Sequence, residues 1–181
     1  MGFSEQMRSP GRVYLQRPRA IDGTEFLALL ASSAEFHAPW FPERDAAAFE
    51  PAAFAAFLET DTGDRCIRFL IRRVEDDAIL GAVNLNEIVR GAFQSAYLGY
   101  WIGVAYQGRG YMKEAVAQAV ERAFGEFGLH RVEANIIPEN TSSLGVVKAL
   151  GFRREGYSPA YLKIAGEWRD HERWATFLES R

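Results

Sequence analysis

Cysteine is almost absent: Cys66 is the only one in 181 residues. This excludes an internal disulfide framework and a cysteine zinc site, and it fits a reducing compartment, so a cytoplasmic location is expected. An excess of charge of either sign is also missing. Twenty-one basic and 24 acidic side chains leave a formal charge of −3 and a pI near 5.7. Nothing draws the whole chain toward nucleic acid or an anionic membrane, and any anion site must be local. No apolar run is long enough to span a bilayer, and the first residues hold neither a hydrophobic stretch nor a cleavage signal, so neither a membrane span nor secretion is expected. Met1-Gly2 fails as a myristoylation signal because Gln6 stands where Ser or Thr is needed. Asn140-Thr141-Ser142 has meaning as a glycan acceptor only in a secreted chain. His37, His130 and His171 show no metal-ligand spacing, and no metal is expected.

What is present suits one folded domain over residues 1–181, with 1–11 expected to be flexible. Hydrophobic residues make up 48%, charged residues 25% and aromatics 13%, and a chain of this size buries about 70% of its unfolded surface without a disulfide or metal. A short strand at 13–15 leads to Asp22, an N-cap candidate for a helix to about residue 32. A second helix carries Phe49, Phe54, Phe57 and Leu58. In the turn His37-Ala38-Pro39-Trp40-Phe41-Pro42, Trp40 and Phe41 read either as core or as the wall of a binding cleft. Strand patterns follow at 67–73, 80–89 and 96–104, an antiparallel meander. Then come a helix at 110–127 with apolar residues at helical spacing, a strand at 131–137, a shorter helix at 141–150 stopped by Gly151, and a hairpin of 152–164 with 168–177. The class is α+β, a mixed and mainly antiparallel sheet flanked by helices.

Chemistry concentrates in Gln107-Gly108-Arg109-Gly110-Tyr111-Met112, where a strand ends and an amphipathic helix begins. Glycines there let backbone N–H groups converge, and the first helical turn leaves its own N–H groups unpaired, so the segment can cradle an anion with Arg109 adding charge. The alternative is a tight turn with no ligand. The Lys-Ser/Thr pair of a Walker loop and the third glycine of a dinucleotide fingerprint are both missing, the latter replaced by Lys113.

With its neighbours, this segment resembles the GNAT acyltransferase superfamily, and within it the RimJ/RimL group of protein N-terminal acetyltransferases. The resemblance rests on the block from Tyr97 through Gly103 and on Gln107 through Ala115. It continues through His130 to Asn135, Pro138-Glu139-Asn140, Leu150-Gly151-Phe152, Glu155-Gly156-Tyr157 and Gly166 to His171. The family's pyrophosphate motif is Q/R-x-x-G-x-G/A. Gln107 and Gly110 match it, and Met112 stands at the last position, as is common in the RimJ/RimL group.

The resemblance implies the acyl-CoA N-acyltransferase fold and acetyl-CoA as cosubstrate. The cofactor would be held by the loop 107–112, by the backbone of Ile102, Gly103 and Val104 along the pantetheine arm, and by Asn140 and Ser143. Tyr97, Tyr100 and Trp101 read as sheet packing. Many members use a tyrosine acid seven residues after the P-x-N asparagine; here that position is Val147. The RimJ/RimL serine, three residues after it, is Ser143, which reads either as proton donor or as part of the helix start. Ala160, followed by Tyr161, occupies the place aligned to the family carboxylate. Glu87 is therefore the candidate base, with Glu133 beside it, each acting through water, and His130 is expected to be structural. The expected acceptor is a protein N-terminus, that of a ribosomal protein being one candidate, or else a small amine such as an antibiotic or polyamine. A catalytically weak acyl-CoA-binding module is the third reading. Neither nucleic acid nor membrane is an expected partner, and the protein is expected to be a monomer or homodimer.

Overall fold

Apolar alternation in the first part of the chain lays down four strands. The computed structural model, which describes residues 11–178, joins them as a meander of β1 (Val13–Gln16), β2 (Ile67–Arg73), β3 (Ile79–Val89) and β4 (Ser95–Ile102). The expected flexible segment 1–11 falls, except for Gly11, outside the described residues. Between β1 and β2 lie α1 (Gly23–Ser32), the short α2 (Ala34–His37) and α3 (Pro51–Glu59). After β4 come α4 (Tyr111–Gly125), β5 (Arg131–Ile136), α5 (Thr141–Ala149), β6 (Arg153–Ile164) and β7 (Glu167–Phe177). The seven strands run in the order β1-β2-β3-β4-β5-β7-β6, and β4 with β5 is the parallel pair. β4 stops at Ile102, short of the expected end at Val104, because the chain turns there into a 3₁₀ segment, Val104–Tyr106.

Each face of the sheet carries an apolar cluster. On one, Met112, Val116, Ala119, Val120 and Ala123 of α4 recur at helical spacing and bury against Phe69, Leu85, Val132 and Trp174. On the other, Phe26 and Leu30 of α1 and Phe54 of α3 cover Leu70, Ile79, Ala82 and Trp101. Phe26 sits 5.0 Å from both Phe54 and Phe57 and meets Trp101 edge-on at 5.4 Å. The covering of both faces explains why three consecutive residues of β2, Phe69, Leu70 and Ile71, are all apolar and fully buried. Trp174 belongs to the core, whereas Trp168 on the same strand is exposed. Among the described residues, no helix is long and apolar enough to cross a membrane.

Asp22 occupies the N-cap position of α1, but its carboxylate does not cap the helix. It accepts instead from the Arg19 N–H at 2.7 Å and from Arg72 Nη2 at 2.6 Å. Arg72 and Asp22 are 4% and 3% exposed, and Arg72 also donates to Gln16 Oε1 at 2.7 Å. A buried ion pair thus ties α1 to the sheet. Removing one partner of such a pair strands the other charge, so Asp22→Ala is expected to destabilise the fold by about 3–5 kcal/mol. Urea unfolding checks this as a lowered midpoint at unchanged slope. A loss below about 1 kcal/mol would mean that the pair behaves like one exposed to solvent.

Candidate active site

β4 and β5 are joined by three residue pairs: Ser95 with Arg131, Ala96 with Val132, and Tyr97 with Glu133. Past them β4 stays on β3 as far as Ile102 opposite Gly81, and β5 stays on β7 as far as Ile136 opposite Glu172. The two halves of the sheet therefore part. Backbone groups of successive strand residues point to opposite sides. The Gly103 N–H reaches Leu80 C=O of β3 at 2.8 Å, so by alternation Tyr100 and Ile102 turn theirs into the parting. The Ile102 carbonyl is met there by His37 Nε2 at 2.9 Å. Tyr100 has no neighbouring strand on that side.

The parting opens into a cleft of about 510 Å³ whose walls include Trp40 and Phe41, the end of β4, the loop before α4 and the start of α5. Trp40 and Phe41 are thus cleft wall, and Phe41 also packs on the α1–α3 cluster. Of residues 102–104 only Ile102 reaches the cleft. The backbone donors expected at Gly103 and Val104 are already used, the first on Leu80 and the second on Ser33 Oγ at 3.1 Å. The free strand groups lie earlier, at Tyr100. His37 is 3% exposed. Burial pushes its imidazole below the usual value of 6.5, and the neutral ring donates from Nε2 to Ile102.

Gln107, Gly108, Gly110, Tyr111 and Met112 line the far end of the cleft with Lys113. Gly108 and Gly110 have φ of 71° and 81°, conformations that L side chains rarely adopt. Gly110 is the N-cap of α4, and the helical ladder begins with Glu114 N–H to Gly110 C=O at 3.3 Å. The N–H groups of residues 111–113 are consequently left to an outside partner at the positive end of the helix dipole. Arg109, expected to add charge, is not on the cleft wall. Its carbonyl accepts Arg12 Nη2 at 2.9 Å, and the lysine among the lining residues is Lys113. Motif reasoning passed over Arg12, yet it braces this loop. Its backbone N–H and Nε donate to Glu114 at 2.9 and 2.7 Å, and its guanidinium lies 4.8 Å from the Tyr111 ring centre. A Cβ added at Gly110 would stand 3.1 Å from Arg12 Nη2.

Asn140 caps α5, its Oδ1 accepting the Ser143 N–H at 3.1 Å. The backbone of Ser143 therefore belongs to the helix start, while its hydroxyl lies 2.7 Å from the Tyr100 hydroxyl on the cleft wall. Burial pushes the Tyr100 phenol up to about 12, with the Ser143 bond pulling the other way, so it stays protonated at neutral pH. Tyr100, read from sequence as packing, joins the site because its side chain crosses the parting to α5. Val147, at the family's tyrosine position, is fully buried.

The two candidate carboxylates do not reach this cleft. Glu87 sits at a break in the β3–β4 register with φ 47°, its side chain 65% exposed and 3.2 Å from Arg65. Glu133 lies on the opposite face of the sheet, paired with Arg131 at 2.7 Å. Ala160 occupies a bulge in β6 and donates its N–H to Asp170 Oδ1 at 2.7 Å. Asp170 also accepts the Tyr157 hydroxyl at 2.5 Å, which holds its carboxyl below the usual value. His130 ties loops together through Gln94 and Leu178. Among the described residues, no group of three or more His, Cys, Asp or Glu is placed to hold a metal ion.

The sequence profile of the Acetyltransferase (GNAT) domain matches residues 12–153. The chain belongs to that family. Its relatives include the ribosomal protein uS5-alanine N-acetyltransferase of Escherichia coli (strain K12), 37% identical over 145 residues, 78% of this chain and 75% of that one. The protein named Probable N-acetyltransferase YjcK of Bacillus subtilis (strain 168) is 42% identical over 109 residues, 60% of each chain. In the solved structure of Mycobacterium smegmatis RimJ in complex with CoA-disulfide, the fold superposes with a TM-score of 0.86 at 29% identity, over 92% of this chain and 82% of that one. The protein is thus a GNAT N-acetyltransferase of RimJ-like kind, and its reaction is acetyl transfer.

The open start of α4 and the unpaired backbone of Tyr100 fit a CoA thioester, diphosphate at the first and amide arm at the second. Acetyl-CoA is expected to raise the melting temperature by mass action. A β-branched residue at Gly108 or Gly110 faces a strain of about 1–3 kcal/mol for left-handed backbone, and Gly110→Val also displaces Arg12. Both variants are expected to lose much of the acetyl-CoA shift. A full shift in both, with native circular dichroism, would remove this end of the cleft from the cofactor site.

Proposed function

We propose that the protein transfers the acetyl group of acetyl-CoA to the α-amine at the N-terminus of a protein. The observation that carries this reading is the Ser143–Tyr100 hydrogen bond on the cleft wall. It supplies a proton donor on the cleft wall, while the candidate carboxylates are held by arginines, Glu87 by Arg65 and Glu133 by Arg131. An α-amine, with a pKa near 8, is partly unprotonated at neutral pH, whereas a lysine amine near 10.4 needs a strong base from its site. The uS5-alanine specificity named for the E. coli relative supports the same acceptor class.

In the reaction, the amine nitrogen bonds to the thioester carbonyl carbon and the carbon–sulfur bond breaks. The departing thiolate takes the Ser143 hydroxyl proton. Tyr100 donates to Ser143 Oγ and so leaves that proton aimed at the cleft. The attacking amine passes its surplus proton to water, and a proton from water restores the Ser143 hydroxyl, so that amide and CoA thiol are the net products. The start of α4 anchors the diphosphate, and the backbone of Tyr100 bonds the pantetheine arm. A cytoplasmic setting fits the lone Cys66, whose thiol is pushed up by burial.

General acid groups contribute roughly 10²-fold or more, and CoA is a fair leaving group with a thiol pKa near 8.5, so Ser143→Ala is expected to lower kcat and kcat/KM together by about 10- to 100-fold. Tyr100→Phe is expected to give a smaller loss, and the two losses should not add, because one acts through the other. Near-complete turnover in Ser143→Ala with weakened acetyl-CoA affinity would make Ser143 a cofactor contact only.

The acceptor class is checked with peptides of varied N-terminal residue, blocked peptides carrying an internal lysine, spermidine and aminoglycosides. Released CoA is measured and the label located by mass spectrometry. Labelling is expected on free α-amines of small residues such as Ala and Ser. Dominant labelling of lysine or of a small amine would overturn the reading, and acetyl-CoA binding without turnover on any acceptor would indicate a binding module.

A further inference from the structure

On the face of the sheet away from α4 and α5, one row of residues crosses the parting. Asn84 of β3 pairs with Gly99 of β4, Asn135 of β5 pairs with Arg173 of β7, and Arg173 pairs with Gly156 of β6. Gly99 and Asn135 stand two residues beyond the last joined couple, Tyr97 and Glu133, one on each lip of the gap. Neighbouring strand positions such as Val83, Leu98 and Ala134 point into the α4 cluster, so by strand alternation this row points the other way.

Three buried atoms of the row, Asn84 Oδ1, Asn135 Oδ1 and Arg173 Nε, have no hydrogen-bond partner among the described residues. Such atoms are rare in folded proteins and call for an explanation when they cluster. The residues that carry them are half-buried, so the row lies near the surface rather than in the deep core. Two glycines lie in the row, with the Asn86 amide close to the first, 3.0 Å from where a Gly99 Cβ would stand. Gly99 presents no side chain, and a Cβ at Gly156 would come 2.6 Å from Arg173 Nη2, so the guanidinium lies against bare backbone. The local charge balance also singles out Arg173. Arg131 pairs with both Glu133 and Glu155, and no ion pair forms on Arg173 among the described residues.

We propose that this row is the acceptor subsite and that it reads an α-aminoacyl end, which extends the N-terminal reading above to particular recognition residues. The amide oxygens of Asn84 and Asn135 accept N–H groups of the acceptor's first residue, and the Arg173 guanidinium donates to its carbonyl oxygen. An acceptor held there faces, through the gap, a thioester lying on the other face against Tyr100 and Ser143. A polyamine has no carbonyl for Arg173 and brings a second cation toward its guanidinium. Arg173 therefore determines specificity as well as affinity.

The test uses the full-length protein and three substitutions, R173M, N135A and G156A, each checked for its melting temperature and for the shift that acetyl-CoA produces. Steady-state kinetics are measured with an Ala-initiated peptide amide and with spermidine. R173M is expected to lower kcat/KM for the peptide by roughly 10- to 100-fold, the loss of a hydrogen bond to a charged group. The change is expected mainly in KM, with acetyl-CoA affinity kept and spermidine turnover unchanged or raised. N135A and G156A, the latter displacing the guanidinium without removing it, are expected to move the peptide value in the same direction. If R173M does not fold, these two decide the matter. Peptide kcat/KM within about twofold of the unaltered protein in every folded variant would overturn the row while leaving the N-terminal reading intact. Labelling of spermidine and of no α-amine by the unaltered protein would overturn both.

Discussion

Across the middle of the sheet only three residue pairs join β4 to β5, and the rest of the molecule is arranged around what happens after the third. Backbone N–H and C=O groups away from water need partners. β4 meets this need on one side through β3 and β5 meets it through β7, which leaves the inner edges of the two strands facing each other across a gap. His37 closes one carbonyl of that edge at Ile102. The inner groups of Tyr100 remain available to an extended, amide-bearing molecule that can substitute for a missing strand. The sheet is therefore complete as a fold and incomplete as a hydrogen-bonded surface, and the incompleteness is located where chemistry can use it.

The anion end of the cleft has the same character. A helix that starts at a left-handed glycine leaves its first N–H groups bare, and what keeps this start in place is Arg12, a residue next to the edge strand far from α4 in sequence. Arg12 holds Glu114 and the Arg109 carbonyl and covers Tyr111. Its charge is spent on Glu114, so the pull on a diphosphate comes from backbone dipoles and Lys113. This resolves how a chain of net charge −3 can bind a polyanion: the field is local and built largely from peptide groups.

The strands and long helices were legible in the sequence because their apolar periods of two and 3.6 are set by burial on one or two faces, as in β2 and α4. The glycine turn and Ser143 were legible through family resemblance. What escaped was decided by contacts between distant segments. Asp22 has an N-cap's sequence position, yet Arg72, fifty residues on, takes its carboxylate. Gly103 and Val104 looked like free strand backbone, but Leu80 and Ser33 consume their N–H groups. Glu87 alternates correctly along β3, and a break in the register turns it outward to Arg65. Neither the reach of Tyr100 to Ser143 nor the row from Asn84 to Arg173 has any local signature, since each exists only once the order of strands is known.

The placement of carboxylates connects the fold to the chemistry proposed for it. Glu133 and Glu155 share Arg131, Asp170 is held by Tyr157 and the Ala160 N–H, and Glu139 on the cleft rim is 3.1 Å from Arg169. The Arg131 guanidinium holds the Glu155 carboxyl below its usual value and the Tyr157 hydroxyl does the same for Asp170, which makes both weaker bases. A site of this kind cannot do much to deprotonate an amine with a pKa above 10, but it does not need to when the amine titrates near 8. Proton donation to the leaving sulfur is then the greater need, and in the proposed reaction it falls to Ser143, with Tyr100, a phenol that burial keeps protonated, behind it. On the proposed reading, catalysis is weighted toward positioning and leaving-group protonation rather than toward base strength. The same weighting accounts for Ala160 standing where the family often has a carboxylate: with an α-amine as nucleophile, a solvent-borne base is sufficient.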